Sequence, residues 1–227
     1  MVVNNIAPSF TGMYGIPEAA LYLSKTPPLT NGNSVNPARL RYWIRTSIPQ
    51  IAPPIFPTRQ RLITFLDLVS MRMIAVLRSR NVKLREIRYT ERYLKTDFGL
   101  KYPFASRQLW THGSHVFIKF EEHILLAASK FGQQAMDFIK DWLREVELDM
   151  TFDELDLASS WSTYQYICLD PTIQFGAPCI DGTRIPTRSI WNKIKAGDSP
   201  DVVAALYDLN ITQVQYAIQW EQRIGTT

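Results

Sequence analysis

Residues 36–45, NPARLRYWIR, are the stretch on which the reading of this chain turns. Asn36 is a good helix cap, and Pro37 suits the first helical position because a helix start leaves that N–H unpaired anyway. In the helix that follows, Leu40, Trp43 and Ile44 share one face, while Arg41, Tyr42 and Arg45 lie opposite with Arg39 at their flank. Upstream, Ile16, Ala19, Ala20 and Leu23 recur at helical spacing, so GIPEAALYL (15–23) reads as a short helix with Pro17 in its first turn. TPPLTNGNS (26–34) between them is turn chemistry throughout. Helix, turn and helix in succession make a helix-turn-helix candidate.

Downstream, residues 46–61 include IPQIAPPIFPTRQR, too rich in proline for a helix. This segment reads as an extended loop or wing, with Arg59 and Arg61 where a wing would reach a backbone. LITFLDLVSMRMIAVLRS (62–79) is apolar almost all round, which predicts a buried helix. KLREIRYTERYLK (83–95) predicts another, with Leu84, Ile87 and Leu94 inward and Arg85, Arg88, Arg92 and Lys95 as a basic stripe.

Charge divides the chain. Residues 1–107 hold sixteen Lys/Arg against five Asp/Glu, whereas residues 108–227 hold nine against sixteen. The basic half suits a polyanion and the acidic half a different partner; mutual neutralisation across an internal interface is the alternative. The composition, 46% hydrophobic and 20% charged, is that of a globular protein. No apolar run is long enough for a membrane span, and MVVNNIAPSF has no signal-peptide pattern, so a cytoplasmic chain without membrane contact is expected. Cys168 and Cys179 form no CxxC pair and read as buried free thiols.

In the second half, RQLWTHGSHVFIKF (107–120) alternates around His112 and Gly113 as a hairpin would. Ala135, Phe138, Ile139, Trp142 and Leu143 mark an amphipathic helix over 132–147, in an acidic stretch. A linker near 150–160 is expected to lead into one alternating strand, WSTYQYICL (161–169). DPTIQFGAPCIDGTRIPTR (170–188) is punctuated by Gly176, Gly182, Pro178 and Pro186, which specify tight turns and not a phosphate cradle, since no GxGxxG or GxxxxGK[ST] is present. The remainder is helical: a short helix closed by Gly197, a second capped by Ser199, and a third with Thr212 as its expected cap and Val214, Ala217 and Ile218 buried. Gln213, Gln215, Tyr216, Gln219 and Gln222 on the last helix could read adenine edges or form a protein or dimer contact.

No constellation points to catalysis, so no enzyme, cofactor or metal is expected. His112 and His115 flank a glycine turn, His123 does not complete a site, and pairs such as Glu121/Glu122 sit in solvated acidic runs. The outward arginines of 39–45 instead suit guanine edges or phosphates in a DNA groove.

GIPEAALYL, LRYWIR and RLITFLDLVSMRMIAVLRSRNVKLREI resemble, over residues 14–90, the winged helix-turn-helix of the MerR superfamily. The resemblance departs at the insertion 26–34 and at Asn81-Val82-Lys83, where Gly-x-Ser is usual. DPTIQFGAPCIDGTRIPTRSI and GDSPDVVAALYDLNITQVQYAI (within 170–218) resemble the domain of unknown function 433, whose pattern is matched at nearly every position. Together they resemble the VapB45-like antitoxin family. That implies a small helical, homeodomain-like tail and a toxin partner of the PIN-like ribonuclease kind.

The expected architecture is mixed and mainly α: a winged helix-turn-helix domain (1–107), an acidic hairpin-and-helix connector (108–160) and a C-terminal helical domain (161–227). The expected function is an antitoxin that represses its own operon. The head would bind operator DNA through Arg39, Arg41, Tyr42, Arg45, Arg59 and Arg61, as a homodimer or a higher oligomer with toxin. The acidic half would hold the toxin, with Asp137, Asp141, Trp142 and Glu145 as first candidates. The alternatives are a MerR-like, ligand-responsive regulator without a toxin, and an adaptor that binds only proteins.

Overall fold

A computed structural model describes residues 12–26, 35–45, 62–79, 83–97, 99–107 and 149–225. The expected wing with Arg59 and Arg61 lies outside the described residues, as do the hairpin of 107–120 apart from Arg107 itself, and the helix bearing Asp137, Asp141, Trp142 and Glu145. What is described is a helix-rich mixed α/β fold with seven α-helices and two small antiparallel sheets.

Strand β1 (Met13–Gly15) enters helix α1 (Ile16–Lys25), and α2 (Pro37–Arg45) follows. Strand β2 (Leu62–Thr64) pairs antiparallel with β1, Tyr14 standing opposite Ile63. The helix expected from 62 therefore begins three residues later, as α3 (Phe65–Ser79). Thr64 decides that start. Its hydroxyl accepts from the Asp67 N–H at 3.2 Å, while Asp67 Oδ2 accepts from the Thr64 N–H at 3.0 Å, a reciprocal cap. Helix α4 (Leu84–Asp97) buries Ile87 and Leu94, with Leu84 half-buried.

The second sheet has the order β3-β4-β5-β6: β3 (Met150–Phe152), β4 (Ala158–Tyr164), β5 (Ile167–Leu169) and β6 (Cys179–Ile180). The expected linker of 150–160 is therefore largely strand, and WSTYQYICL is two strands, with Tyr164 paired to Ile167 across a two-residue turn. Asp153 builds the β3–β4 turn by accepting from the N–H groups of Leu155 and Leu157, both at 2.9 Å. Strand β4 crosses residue 160, so the sheet takes residues from both sides of the expected connector boundary.

Helices α5 (Thr187–Lys195), α6 (Pro200–Tyr207) and α7 (Ile211–Arg223) complete the chain. Ser199 caps α6 as expected, accepting from the Val202 N–H at 3.4 Å. The cap of α7 is Asn210, not Thr212. Asn210 Oδ1 accepts from Gln213 N–H at 2.8 Å and Gln213 Oε1 accepts from Asn210 N–H at 3.0 Å. Both residue types cap helices and each has a glutamine three positions on, Gln213 or Gln215, so residue type alone does not choose between them; the box that forms is Asn210 with Gln213.

Among the described residues, several contacts join the N-terminal elements to the C-terminal ones. Tyr14 donates its hydroxyl to the Gly176 carbonyl at 3.0 Å. Tyr22 lies 6.0 Å, centroid to centroid, from Trp220. Arg72, fully buried in α3, stacks its guanidinium 4.5 Å over Trp161 and reaches Asp149 at 3.4 Å. At the surface, Arg107 pairs with Asp156 at 3.0 Å. Among the described residues, two ion pairs thus cross from the basic half to the acidic half.

Candidate nucleic-acid interface

Helix α2 is fixed from behind by its apolar face: Leu40, Trp43 and Ile44 are buried, as is Val35 just before the helix. Asn36 caps it as expected, its Oδ1 accepting from the Arg39 N–H at 2.8 Å. α1 packs against it through a face of buried Ile16, Ala19, Ala20 and Leu23. The start of α1 is held by Glu18, which accepts from the Gly15 N–H at 3.2 Å and from the Tyr22 hydroxyl at 2.9 Å. With one face consumed by packing, the other is presented outward: Arg39, Arg41, Tyr42 and Arg45 are all exposed. These four expected site residues therefore share one exposed helix surface. Arg59 and Arg61 lie outside the described residues.

The basic stripe expected on α4 is only half outward. Arg85 and Arg92 are exposed, but Lys95 is half-buried and pairs with Glu91 at 2.6 Å. Arg88 is half-buried, and its Nε and Nη2 are buried without a hydrogen-bond partner. Spacing places four cations on one face but does not tell how far a neighbouring element covers it.

In the C-terminal part the patterned polar residues turn inward onto the backbone. Asp170 Oδ1 accepts from the Thr172 N–H at 2.7 Å and its hydroxyl at 2.6 Å. Thr183 donates to the Ile180 carbonyl at 2.8 Å and accepts from the Ile185 N–H at 3.1 Å. Gln174 donates to the Arg184 carbonyl at 3.2 Å. Thr187 donates to the Glu221 carboxylate, tying the start of α5 to α7 with both residues buried. Gly176 (φ +85°) and Gly182 (φ +72°) take left-handed turns that favour glycine. In this motif hydroxyls, amides and carboxylates hold its own loops together.

Residues 167–220 match a family model. Its description is Protein of unknown function (DUF433). The DUF433 match spans β5 to α7, so it includes the self-bonded loops just described and most of α7. The fold as a whole is similar to the X-ray crystal structure of Rv2018 from Mycobacterium tuberculosis, with a TM-score of 0.74 at 22% identity. That similarity covers 90% of this chain and 96% of the other. No curated protein matches the chain.

Cys168 and Cys179 are free thiols directly opposite each other on β5 and β6. Burial raises both, Cys179 to about 11, which keeps them protonated and poorly nucleophilic. His112, His115 and His123 lie outside the described residues. No helix among the described residues is long and apolar enough to cross a membrane.

Proposed function

We propose that this protein is a DNA-binding repressor acting as the antitoxin of a toxin–antitoxin pair, its partner a PIN-like ribonuclease. The observation that supports DNA binding is the exposed face of α2, where Arg39, Arg41, Tyr42 and Arg45 stand together on a capped helix locked by buried Leu40, Trp43 and Ile44. A rigid helix with several outward guanidinium groups is what major-groove docking requires. Arginine grips guanine edges bidentately, and the remaining cations hold phosphates. In this reading the segment with Arg59 and Arg61 acts as the wing, and two copies read two half-sites about one helical turn or a multiple of it apart. The antitoxin role rests on the resemblance of head and tail together to the VapB45-like antitoxin family, of which the DUF433 match covers the tail.

The test uses the full chain and DNA from immediately upstream of its own gene. Fluorescence anisotropy should show binding to that DNA at least about a thousandfold tighter than to scrambled sequence at physiological salt. Sedimentation of the complex should give two protein copies per site. Equal affinity for both DNAs would remove the repressor reading. Growth rescue on co-expression with a neighbouring PIN-like ribonuclease tests the antitoxin half, and failure to rescue would remove it.

A further inference from the structure

We infer that the outer face of α6 is the docking surface for a basic protein partner, the ribonuclease of the reading above, on which this inference rests. α6 is a short apolar helix, PDVVAALY, of which Val203 and Ala204 are buried. Yet Val202 is 55% exposed and Leu206 57% exposed. The two are four residues apart and so adjacent on one face, with exposed Ala205 beside them. Ile211, just past the following turn, is also exposed. Single exposed aliphatic residues are ordinary, but two large ones side by side on one face of a short helix form a patch that water solvates poorly.

The flank of this patch selects the occupant. Helical spacing sets Asp201 beside Ala205 on the side away from Leu206, and Asp208 follows the last turn as the C-cap; both are exposed. No lysine or arginine occurs between Lys195 and Arg223. A phosphate backbone would be repelled here. A second copy placed antiparallel on α6 would set Asp201 against the other copy's Asp208, like charge on like charge. A protein that offers apolar anchors edged by lysine or arginine meets both features. A ribonuclease supplies the lysine and arginine, because it must attract RNA. The patch also lies on the tail, so the α2 arginines stay available for DNA while it is occupied.

The experiment measures binding of the purified PIN-like ribonuclease to the full-length chain, by calorimetry, for four proteins: wild type, Val202→Lys/Leu206→Lys, Asp201→Asn/Asp208→Asn, and Arg41→Ala/Arg45→Ala. All positions are exposed, and equal melting temperatures establish that each variant folds. The aliphatic-to-lysine pair should weaken binding by about a hundredfold. The asparagine pair should weaken binding at low salt and flatten its salt dependence. The arginine pair should bind the ribonuclease like wild type. Wild-type affinity for Val202→Lys/Leu206→Lys would overturn this inference while leaving the antitoxin reading intact. Absence of binding by wild type would overturn both.

Discussion

The N-terminal helices and the C-terminal motif use polar side chains in opposite ways. On α2 buried Leu40, Trp43 and Ile44 hold the helix from one side, and Arg39, Arg41, Tyr42 and Arg45 are exposed on the other. From Asp170 to Thr187 the polar residues anchor the loops themselves: Asp170 caps a turn, Thr183 and Gln174 hold backbone, and Thr187 reaches Glu221. The C-terminal pattern is spent on its own loops, whereas the α2 pattern leaves its cations on the exposed side of the helix.

That contrast breaks first at Gly176. A Cβ there would meet the Tyr14 hydroxyl oxygen at 2.2 Å, on a backbone with φ +85°. Gly176→Ala should lose roughly 3 kcal/mol of stability by denaturant unfolding, from strain plus the lost seat of Tyr14. Gly182 has a similar φ of +72° but open space around it, so Gly182→Ala should cost only about 1 kcal/mol. Adding Tyr14→Phe should return part of the Gly176→Ala loss in a double-mutant cycle. Equal costs for the two glycines would mean that the Tyr14 contact contributes nothing.

Arg72 sharpens the comparison, because it is a cation used for packing, unlike the arginines of α2. Burial lowers its pKa to about 10, with Asp149 opposing that shift. Its ion-pair partner is 44% exposed and stays solvated when the arginine is removed. Arg72→Ala should therefore cost roughly 2 kcal/mol through the hole left against Trp161, and Arg72→Met less than about 1 kcal/mol. If both cost the same, charge and not volume is what the site needs.

Alkaline pH tests the junction from the other side. Tyr14 and Tyr22 are pushed well above the ordinary tyrosine value of 10.0, chiefly by burial and secondarily by Glu18. An acid whose folded pKa is raised keeps its proton longer in the folded state. The stability it contributes is full below pH 10.0 and falls as pH rises beyond that value. Arg72 acts with the opposite sign, its lowered pKa adding stability above about pH 10, and offsets part of the fall. Thermal unfolding across pH 9 to 12 should show a net decline, which Tyr22→Phe makes shallower. A flat profile would mean that these phenols are not buried in solution.

The smallest effect belongs to Arg107 and Asp156, a pair spanning the basic and acidic halves but 45% and 49% exposed. Arg107→Ala should change stability by about 0.5 kcal/mol or less, and salt should erase the difference.

The sequence makes the α2 site legible because everything that defines it is local: the Asn36–Pro37 start, an apolar face at helical spacing, and arginines on the other side. The same holds for Ser199 and for the buried face of α3. The β4–β5 turn is not legible. Gln165-Tyr166 carries no glycine, asparagine or aspartate, although Tyr166 takes φ +61°, and apolar alternation continues straight through it. β1, β2 and β3 span three residues each, too short for any periodicity. Contacts such as Tyr14 with Gly176, 162 positions apart, are set by tertiary packing and leave no local trace. The exposed α6 patch has the same character: Val202 and Val203 are adjacent identical residues, one outside and one buried.

The central claim is that the exposed arginines of α2 bind DNA. It is tested most directly by titrating the gene's own upstream DNA with wild type and Arg41→Ala/Arg45→Ala, matched for melting temperature, over a range of salt. Each arginine that reads a base should contribute about 1–3 kcal/mol, and each that holds a phosphate about one unit of salt slope. The account predicts binding weakened by tenfold or more, with a shallower slope if either arginine meets phosphate. Unchanged affinity and unchanged slope in a folded double variant would contradict it.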